Sequence, residues 1–330
     1  MNLKSLKGQH HVSAITANAK KNYEFYTQTL GLRLVKKTIN QDNTSMYHLF
    51  YADERGNPGT ELTFFEIPNA GTTYEGNNSI SLTTLRVKND ESLQYWEKRL
   101  EEFGVTHEGI SYHTGRATLR FRDFEGQRLA LLSDENNKGV KGGKPWDNSP
   151  VPVEHGIVGL GPVTLTVPRG ESTAKILTSV LGFEETRTFP STIEGQPDVQ
   201  VFETGEGGTG GEIHLEERDD LPAEKPGRGS VHHVAFRVED GNELKKWVDW
   251  INENRLPNSG SVERYYFRSL YFREPNGILF ELATDGPGFE ADESFETLGE
   301  RLALPPFFEA QREEIEAGLK PLDIGKRSEK

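Results

Sequence analysis

The chain has 330 residues, which suggests two domains or one duplicated scaffold. It carries 38 basic and 52 acidic residues, a net charge of −14, so it lacks the basic surface that nucleic acids and anionic membranes require. It has no cysteine, which excludes disulfides and thiolate ligands and restricts any metal site to histidine, carboxylate or backbone oxygen. No signal-peptide pattern or run of about 18 apolar residues is present. We therefore predict a cytoplasmic protein without nucleic-acid or membrane partners.

The sequence repeats itself with a period of about half the chain. Gly31 in Leu-Gly-Leu and Gly182 in Leu-Gly-Phe are 151 residues apart. Glycines that precede apolar strands recur with almost the same period, at Gly59, Gly126, Gly211 and Gly277. Equivalent glycines of the two halves are 151 or 152 residues apart, and neighbours within a half are 66 or 67 apart. These spacings indicate a duplicated pair of units, four in all.

Each unit is predicted to have the order βαβββ, which gives an α+β fold of four modules. The first strands are predicted at His11–Thr16, Ser81–Val87, Val163–Val167 and His233–Val238. Helices with apolar residues at three- and four-residue spacing follow at about Ala19–Thr29, Glu91–Phe103, Glu171–Val180 and Asn242–Asn254. Strands that end in a glycine-containing hairpin complete each module.

Composition divides the chain into two domains, a linker and a tail. Residues 1–135 form the predicted N-terminal domain of two modules, and residues 155–285 form the predicted C-terminal domain of two more. The Gly-, Pro-, Lys- and Asn-rich stretch 136–154 is the predicted linker. Residues 286–330 form a C-terminal tail with a short predicted helix at about Phe308–Gly318. The Gly205–Gly210 stretch fits a dinucleotide motif by letter but lies between strands, so we interpret it as a loop.

Two histidine doublets begin the first strands of the first and fourth modules. They are His10-His11 and His232-His233. Because neighbouring residues of a strand point to opposite faces, one histidine of each doublet should face inward. His11 and His233 lie on the more polar faces, so they are the predicted inward pair.

A glutamate completes a metal-binding set with these histidines. The residues four positions after the turn glycines are Thr63, Ala130, Leu215 and Glu281. Only Glu281 is a carboxylate, and burying it between apolar neighbours is costly unless it is paired or binds a metal. His11, His233 and Glu281 therefore form a candidate two-histidine, one-carboxylate triad, a set typical of non-haem Fe(II) oxygenases. The other histidines are predicted to lie in loops, to face away or to lack an assigned partner: His48, His107, His113, His155 and His214.

The four modules, the paired histidine strands and the segment Arg273–Glu281, with its Glu-Pro-Asn-Gly turn, resemble the vicinal oxygen chelate superfamily. This superfamily includes glyoxalase I, bleomycin-resistance proteins and extradiol dioxygenases. The resemblance covers roughly residues 8–285 and implies two tandem glyoxalase-like domains.

Finer features resemble the hydroquinone-type ring-cleaving dioxygenases. The third module has Gly159-Leu-Gly-Pro162 where ordinary catechol extradiol enzymes place a histidine ligand, and His11 could replace that ligand. The segments Leu6–His11, Tyr47–Asp53 and Arg301–Phe308 also resemble that group. The resemblance implies an Fe(II)-dependent dioxygenase that opens hydroquinone- or catechol-type aromatic diols with O2, in degradation of aromatic compounds.

The resemblance also implies roles for individual residues. It assigns His11, His233 and Glu281 as iron ligands. It assigns His10, His232, Tyr271 and Arg264 to catalysis, and Ser13, Arg264 and Tyr271 to substrate binding. The alternation of strand faces points His10 and His232 away from the metal, whereas the resemblance places them near the pocket. Both placements stay open at this point.

Two alternative functions also fit the sequence. One is a glyoxalase- or epimerase-like metal-dependent isomerase, which commonly uses a fourth ligand at the position of Thr63, and Glu61 is a poor replacement because it is shifted by two residues. The other is a non-catalytic protein that binds aromatic compounds in the same cavity. The sequence leaves open the ring substituents of the substrate and the oligomeric state, a homo-oligomer included.

Overall fold

In the computed structural model, which describes residues 3–324, sixteen strands form two mixed eight-stranded sheets. The last six residues of the predicted tail lie outside the described part. The strands are β1 (Gln9–Thr16), β2 (Arg33–Asn40), β3 (Asn43–Ala52), β4 (Glu61–Glu66), β5 (Ser79–Val87), β6 (His107–Ser111), β7 (Thr118–Arg122), β8 (Arg128–Ser133), β9 (Ile157–Val167), β10 (Glu184–Phe189), β11 (Val199–Glu203), β12 (Glu212–Glu217), β13 (Val231–Val238), β14 (Asn258–Glu263), β15 (Arg268–Arg273) and β16 (Leu279–Thr284). The α-helices are α1 (Ala19–Glu24), α2 (Asp90–Glu102), α3 (Gly170–Lys175), α4 (Gly241–Glu253) and α5 (Arg312–Gly318). The predicted α+β fold of four βαβββ modules is confirmed.

Each sheet combines one module from each half of the chain. The first sheet has the order β14-β15-β16-β13-β1-β4-β3-β2, so it joins the first and fourth modules. The second has the order β10-β11-β12-β9-β5-β8-β7-β6 and joins the second and third modules. The domain bounds 1–135 and 155–285 remain a prediction, and neither half forms an eight-stranded sheet by itself.

The seam between β1 and β13 brings the two histidine doublets together. These strands pair antiparallel, with Val12 opposite Val234 and Ser13 opposite His233. The register shifts between Gln9 and Val12, so the first doublet lies in an irregular part of the ladder. Strict alternation of faces does not hold at such an irregularity.

The helices pack against one face of each sheet, and the apolar side chains between them form the main core. The helices α1 and α3 occupy matching positions in the two halves, and each continues into a π-helical turn, at Phe25–Thr29 and Ile176–Val180. Asn18 and Asp240 cap α1 and α4 by accepting backbone N–H groups. No helix among residues 3–324 is long and apolar enough to span a membrane.

The first part of the tail covers the opposite face of the first sheet, which we call its inner face. Later tail residues join the main core on the helix side: Leu304, Ile315, Leu319 and Leu322. Phe289 packs against Phe50 and Tyr266 with ring centroids 5.0 and 5.4 Å apart. The buried Lys36 ammonium lies 2.6 Å from Asp292 Oδ1 and also bonds Glu293. The predicted tail helix is present as a 3-10 segment at Pro306–Gln311 followed by α5.

The predicted linker has little regular structure but is held at both ends. Within 136–154, one 3-10 turn begins at Val153, and the rest has neither helix nor strand. Backbone bonds join Val140 N–H to Gly207 O and Glu54 N–H to Lys144 O. The segment therefore runs between the two sheets as an anchored connection.

Candidate metal centre

Three buried side chains from β1, β13 and β16 converge on one point. His11 Nε2 and His233 Nε2 are 3.1 Å apart. Glu281 Oε2 lies 3.1 Å from His11 Nε2 and 2.8 Å from His233 Nε2. The three side chains predicted as ligands are thus brought together, and each residue is at most 3% exposed.

Glu281 is held so that one of its oxygens faces the two imidazoles. Ser269 on β15 donates its hydroxyl to Glu281 Oε1 at 2.5 Å. Oε2 is buried and accepts no hydrogen bond. Burial alone raises the pKa of Glu281, but the neighbouring His11 and His233 hold that pKa well below its ordinary value. The carboxylate is therefore an anion with a free lone pair directed at two ring nitrogens.

Each inner histidine is contacted at Nδ1 by the histidine that precedes it. His10 Nδ1 lies 3.0 Å from His11 Nδ1, and His10 Nε2 lies 3.1 Å from the carbonyl oxygen of Thr284. His232 Nδ1 lies 2.7 Å from His233 Nδ1. A carbonyl oxygen only accepts, so His10 carries its proton on Nε2 and accepts the Nδ1 proton of His11. This leaves the Nε2 lone pair of His11 free for a metal.

A cavity of about 50 Å³ lies beside the three converging side chains. His48 is in its wall, between the rings of Phe50 and Phe65 at centroid distances of 4.0 and 4.2 Å. His48 Nε2 is 2.9 Å from Thr63 Oγ1, which is 2.7 Å from Ser13 Oγ. Ser13 therefore lies one residue behind the cavity wall rather than in it.

Arg264 and Tyr271 line the same cavity. Arg264 Nε donates to the Tyr271 hydroxyl at 3.2 Å. The Arg264 guanidinium also donates to Asp42 on the turn between β2 and β3, at 3.1 and 2.9 Å. Burial raises the pKa of Tyr271 above its ordinary value, so its hydroxyl stays protonated. Of the three residues predicted to bind substrate, Arg264 and Tyr271 are thus together at the cavity, and Ser13 is not in its wall. The β2–β3 hairpin supplies one side of the cavity.

A second group of possible ligands lies behind the first. It consists of His10, His11 and Glu61, and Glu61 Oε1 is 3.8 Å from His10 Nδ1. Burial raises the pKa of Glu61 well above its ordinary value, which favours the neutral acid. The Nδ1 atoms of His10 and His11 already bond each other. These features favour the cavity-facing group as the metal site.

The cavity-facing group fits a first-row metal ion. Bonds of about 2.1 Å at right angles place neighbouring ligand atoms about 3.0 Å apart, whereas a tetrahedron separates them by about 3.4 Å. The separations of 2.8 to 3.1 Å match one face of an octahedron. The buried, unbonded Glu281 Oε2 is the atom that such an ion would satisfy.

Several residues around this group were not predicted from the sequence. Ser269 is two residues before Tyr271 on β15, so both side chains lie on the same face of the strand. The two-residue period of a strand could therefore have identified Ser269 from Tyr271. His48 was left without a partner because its contact with Thr63 crosses from β3 to β4. His10 and His232 are absent from the cavity wall, and the remaining histidines lie away from the three side chains.

Comparison with known proteins gives full-length relatives. The chain is 57% identical over 317 residues to "Putative ring-cleaving dioxygenase MhqA" of Bacillus subtilis, covering 96% of this chain and 99% of that protein. It is 29% identical to the chlorohydroquinone/hydroquinone 1,2-dioxygenase of Sphingobium indicum, covering 94% and 95% of the two chains.

Solved structures share the fold. A crystal structure of a "putative dioxygenase" from Bacillus subtilis superposes with a TM-score of 0.87 at 33% identity, covering 98% of this chain and all of that one. Glyoxalase I from Zea mays superposes with a TM-score of 0.62 at 13% identity, covering 84% and 92% of the two chains, which shows the fold alone.

The family model matches both halves of the chain. The model for the Glyoxalase/Bleomycin resistance protein/Dioxygenase superfamily matches residues 8–131 and 159–282. The two matches cover most of the chain and coincide with the two pairs of βαβββ modules. The chain therefore belongs to the Glyoxalase/Bleomycin resistance protein/Dioxygenase superfamily.

Proposed function

We propose that this protein is an Fe(II)-dependent ring-cleaving dioxygenase that opens hydroquinone- or catechol-type aromatic diols with O2. The observation that carries the proposal is the buried convergence of His11, His233 and Glu281 beside a cavity with aromatic walls. The full-length relatives described as ring-cleaving dioxygenases support the reaction class. The hydroquinone name of the Sphingobium relative supports the substrate class.

His11, His233 and Glu281 hold the iron in this proposal. When bound, Fe(II) favours the anionic form of a ring hydroxyl and supplies a path for electrons to O2. His10 and His232, which the resemblance assigns to catalysis, keep the inner imidazoles oriented through Nδ1 in this proposal, which is a positioning role. Ser269 fixes the carboxylate in the same way.

Arg264 and Tyr271 contact the aromatic substrate in this proposal. The Tyr271 hydroxyl accepts its bond from Arg264, so its own proton is free to be donated to a substrate oxygen in the cavity. The Arg264 guanidinium adds positive charge where an anionic ring or ring-opened acid forms. The rings of Phe50 and Phe65 supply the apolar part of the wall and exclude water.

The size of the cavity requires a movement before substrate binds. About 50 Å³ is less than twice the roughly 30 Å³ that one water molecule occupies in the liquid. An aromatic ring therefore has to displace part of the wall. The Asp42–Arg264 pair at the β2–β3 turn is the candidate because Asp42 is exposed and the pair joins two separate elements.

The isomerase alternative needs a fourth ligand, and within residues 3–324 neither candidate position supplies a carboxylate to the cavity-facing group. Thr63, at the equivalent position, is bonded to Ser13 and His48. Glu61 lies beside His10 on the far side of the inner histidine. Neither residue offers a second carboxylate to the cavity-facing group.

Iron content and oxygen uptake test the proposal. We expect anaerobically purified protein to hold about one iron per chain and to consume O2 when hydroquinone is added. Oxygen uptake measured across a panel of hydroquinones and catechols should identify the preferred arrangement of hydroxyl groups on the ring. His11→Ala should lose both iron and oxygen uptake, because one of three ligands is removed.

The control replaces a histidine outside the site. His113 is bonded to Pro190 O, far along the chain from the three ligands, and His113→Gln should retain iron and activity. Unchanged iron in His11→Ala would disprove the ligand assignment. Zinc or nickel with thiol-dependent turnover of methylglyoxal, or diol binding without any metal, would contradict the dioxygenase.

A further inference from the structure

The second sheet encloses a larger cavity than the metal centre. This cavity, of about 830 Å³, is lined mainly by residues of the second and third modules, with Phe25 and Thr29 of the first module at its side. The tail packs on the inner face of the first sheet, where Phe289 and Lys36 meet. Within residues 3–324, no tail residue lines the larger cavity.

Register shows what replaces the metal ligands in the second sheet. In the first sheet, Tyr271 on β15 lies opposite Glu281 on β16. In the second sheet, Arg120 on β7 lies opposite Ala130 on β8, in the corresponding hairpin. A guanidinium and a methyl group thus stand where the metal centre has a phenol and a carboxylate. The larger cavity therefore lacks the carboxylate ligand and has a cation where the metal centre has a phenol, so it suits an anion better than a metal.

Arg120 is available to bind a ligand. Its side chain lines the cavity and is half-buried. Within residues 3–324 its guanidinium has neither an ion pair nor a hydrogen bond, whereas Arg122 and Arg128 in the same wall pair with Glu75. Thr114 Oγ1, also in the wall, is buried without a hydrogen-bond partner. A half-buried guanidinium fork matches a carboxylate group well.

The remaining wall favours an aromatic ligand with one negative charge. Phe189 packs edge-on against His214 and His113, with ring centroids 5.2 and 5.7 Å apart. Glu216 also faces the cavity and accepts the hydroxyl of Thr166 at 2.8 Å. The carboxylates of Glu108 and Glu216 in this wall repel negative charge, so the wall favours a ligand with no more than the one negative charge that Arg120 can neutralise. The aromatic surface and the unpaired Arg120 guanidinium together favour an aromatic ligand with one negative charge.

We propose that the cavity of the second sheet is a binding site for aromatic monocarboxylates, with Arg120 holding the carboxylate. The site is separate from the metal centre and does not depend on the proposed function. It does not require a metal ion.

Titration calorimetry with benzoate and with its neutral analogue benzamide tests the proposal on the full chain. We expect the wild-type protein to bind benzoate about tenfold more tightly than benzamide, because only benzoate pairs with the guanidinium. Arg120→Gln should remove that preference, and Arg120→Lys should retain part of it. Replacing Arg120 should not unfold the protein, since it has no partner to lose.

Two control variants locate the binding. Glu281→Gln alters the metal centre and should leave benzoate affinity unchanged. Arg312→Gln removes a guanidinium from the tail and should also leave it unchanged. Equal binding of benzoate by Arg120→Gln and the wild type would overturn the proposal. So would no measurable benzoate binding by the wild type, or a loss caused by Glu281→Gln alone.

Discussion

At the scale of single residues, the candidate metal centre depends on which ring nitrogens of His10 and His11 carry a proton. The Thr284 carbonyl oxygen accepts the Nε2 proton of His10, so His10 Nδ1 can accept from His11. Burial lowers the pKa of His10 to about 3, which keeps its ring neutral and this acceptor available. The outer histidine therefore selects the tautomer in which His11 Nε2 is free. Losing such a contact behind a ligand typically lowers metal affinity or activity about 10- to 100-fold.

Replacing His10 with phenylalanine should weaken iron binding while preserving the fold. Phe keeps a ring in the space but leaves the Nδ1 proton of His11 without an acceptor. We expect the affinity for Fe(II) to fall about 10- to 100-fold, measured by anaerobic competition with a chelator. The control His113→Gln should bind iron like the wild type. Equal affinity of His10→Phe and wild type would show that His10 does not orient His11.

Asp123 should make stability depend on pH. The carboxyl accepts the Tyr26 hydroxyl and two backbone N–H groups, and burial raises its pKa from 3.8 to about 6. The folded state thus holds a proton that the unfolded chain has already lost between these values. The contribution of Asp123 to stability is present below about pH 4 and falls as pH rises through about 6, by roughly 3 kcal/mol.

Asp123→Asn should remove this dependence, because the amide does not titrate. Urea unfolding of both proteins between about pH 4 and pH 7 measures it. We expect the stability of the wild type relative to Asp123→Asn to decrease steadily across that range. A difference that stays constant with pH would mean that the folded pKa is not raised.

At the scale of elements, the strands that carry ligands are held together from the helix side. Phe236 on β13 is completely buried, and its ring lies 5.5 Å from Phe280 on β16 and 5.3 Å from Phe183. His233 and Glu281 project from these same two strands. Packing on the helix side of the sheet therefore fixes the spacing of His233 and Glu281 on the inner side.

Phe236→Ala should destabilise the protein and loosen the metal centre. Removing this ring costs about 3–5 kcal/mol, since both the transfer free energy and a cavity are lost. Phe307→Ala is the matched control, because Phe307 is 53% exposed, and it should change stability by less than about 0.5 kcal/mol. Chemical denaturation measures both variants. Similar free energies of unfolding for the two would contradict a packing role for Phe236.

Strand periodicity predicted part of this arrangement. It placed His233 on the inward face, because β13 alternates regularly there. It could not place His10, since the register of β1 shifts between Gln9 and Val12. The contact of His48 with Thr63 also escaped prediction, because pairing between strands is a long-range property that period alone does not contain.

At the scale of the whole molecule, the two sheets share one architecture but differ in what covers them. Glycine spacing predicted four modules, and yet it carried no information on which modules would share a sheet. The inner face of the first sheet is covered by the tail and keeps a cavity of about 50 Å³, whereas the second keeps about 830 Å³. The sequence predicted a tail outside the two domains but not the surface against which it packs. The apolar residues of the tail follow no regular spacing that would indicate that surface.

Lys36 is one of two buried charges on β2 that anchor the tail to the first sheet, with Arg33, which donates to the carbonyl oxygens of Phe295 and Glu296. Its ammonium bonds Asp292, Glu293 and the Phe289 carbonyl oxygen, and its side chain is fully buried. Lys36→Met keeps the side-chain volume but removes the buried cation that bonds Glu293, which leaves only the exposed Arg301, 3.7 Å from Glu293 Oε1. Breaking a buried pair in this way costs about 3–5 kcal/mol, so we expect a lower midpoint of urea unfolding and faster proteolysis within residues 287–324.

The double variant Lys36→Met with Glu293→Leu separates charge from packing, since it removes both members of the pair and should recover much of the lost stability. Lys144→Met is the matched surface control. Lys144 also contacts two carboxylates, Glu54 and Asp147, but its side chain is 55% exposed, so its loss should change stability by no more than about 1 kcal/mol. If Lys36→Met and Lys144→Met were equally mild, the tail would be held by its apolar contacts, with Phe289 rather than Lys36 as its anchor.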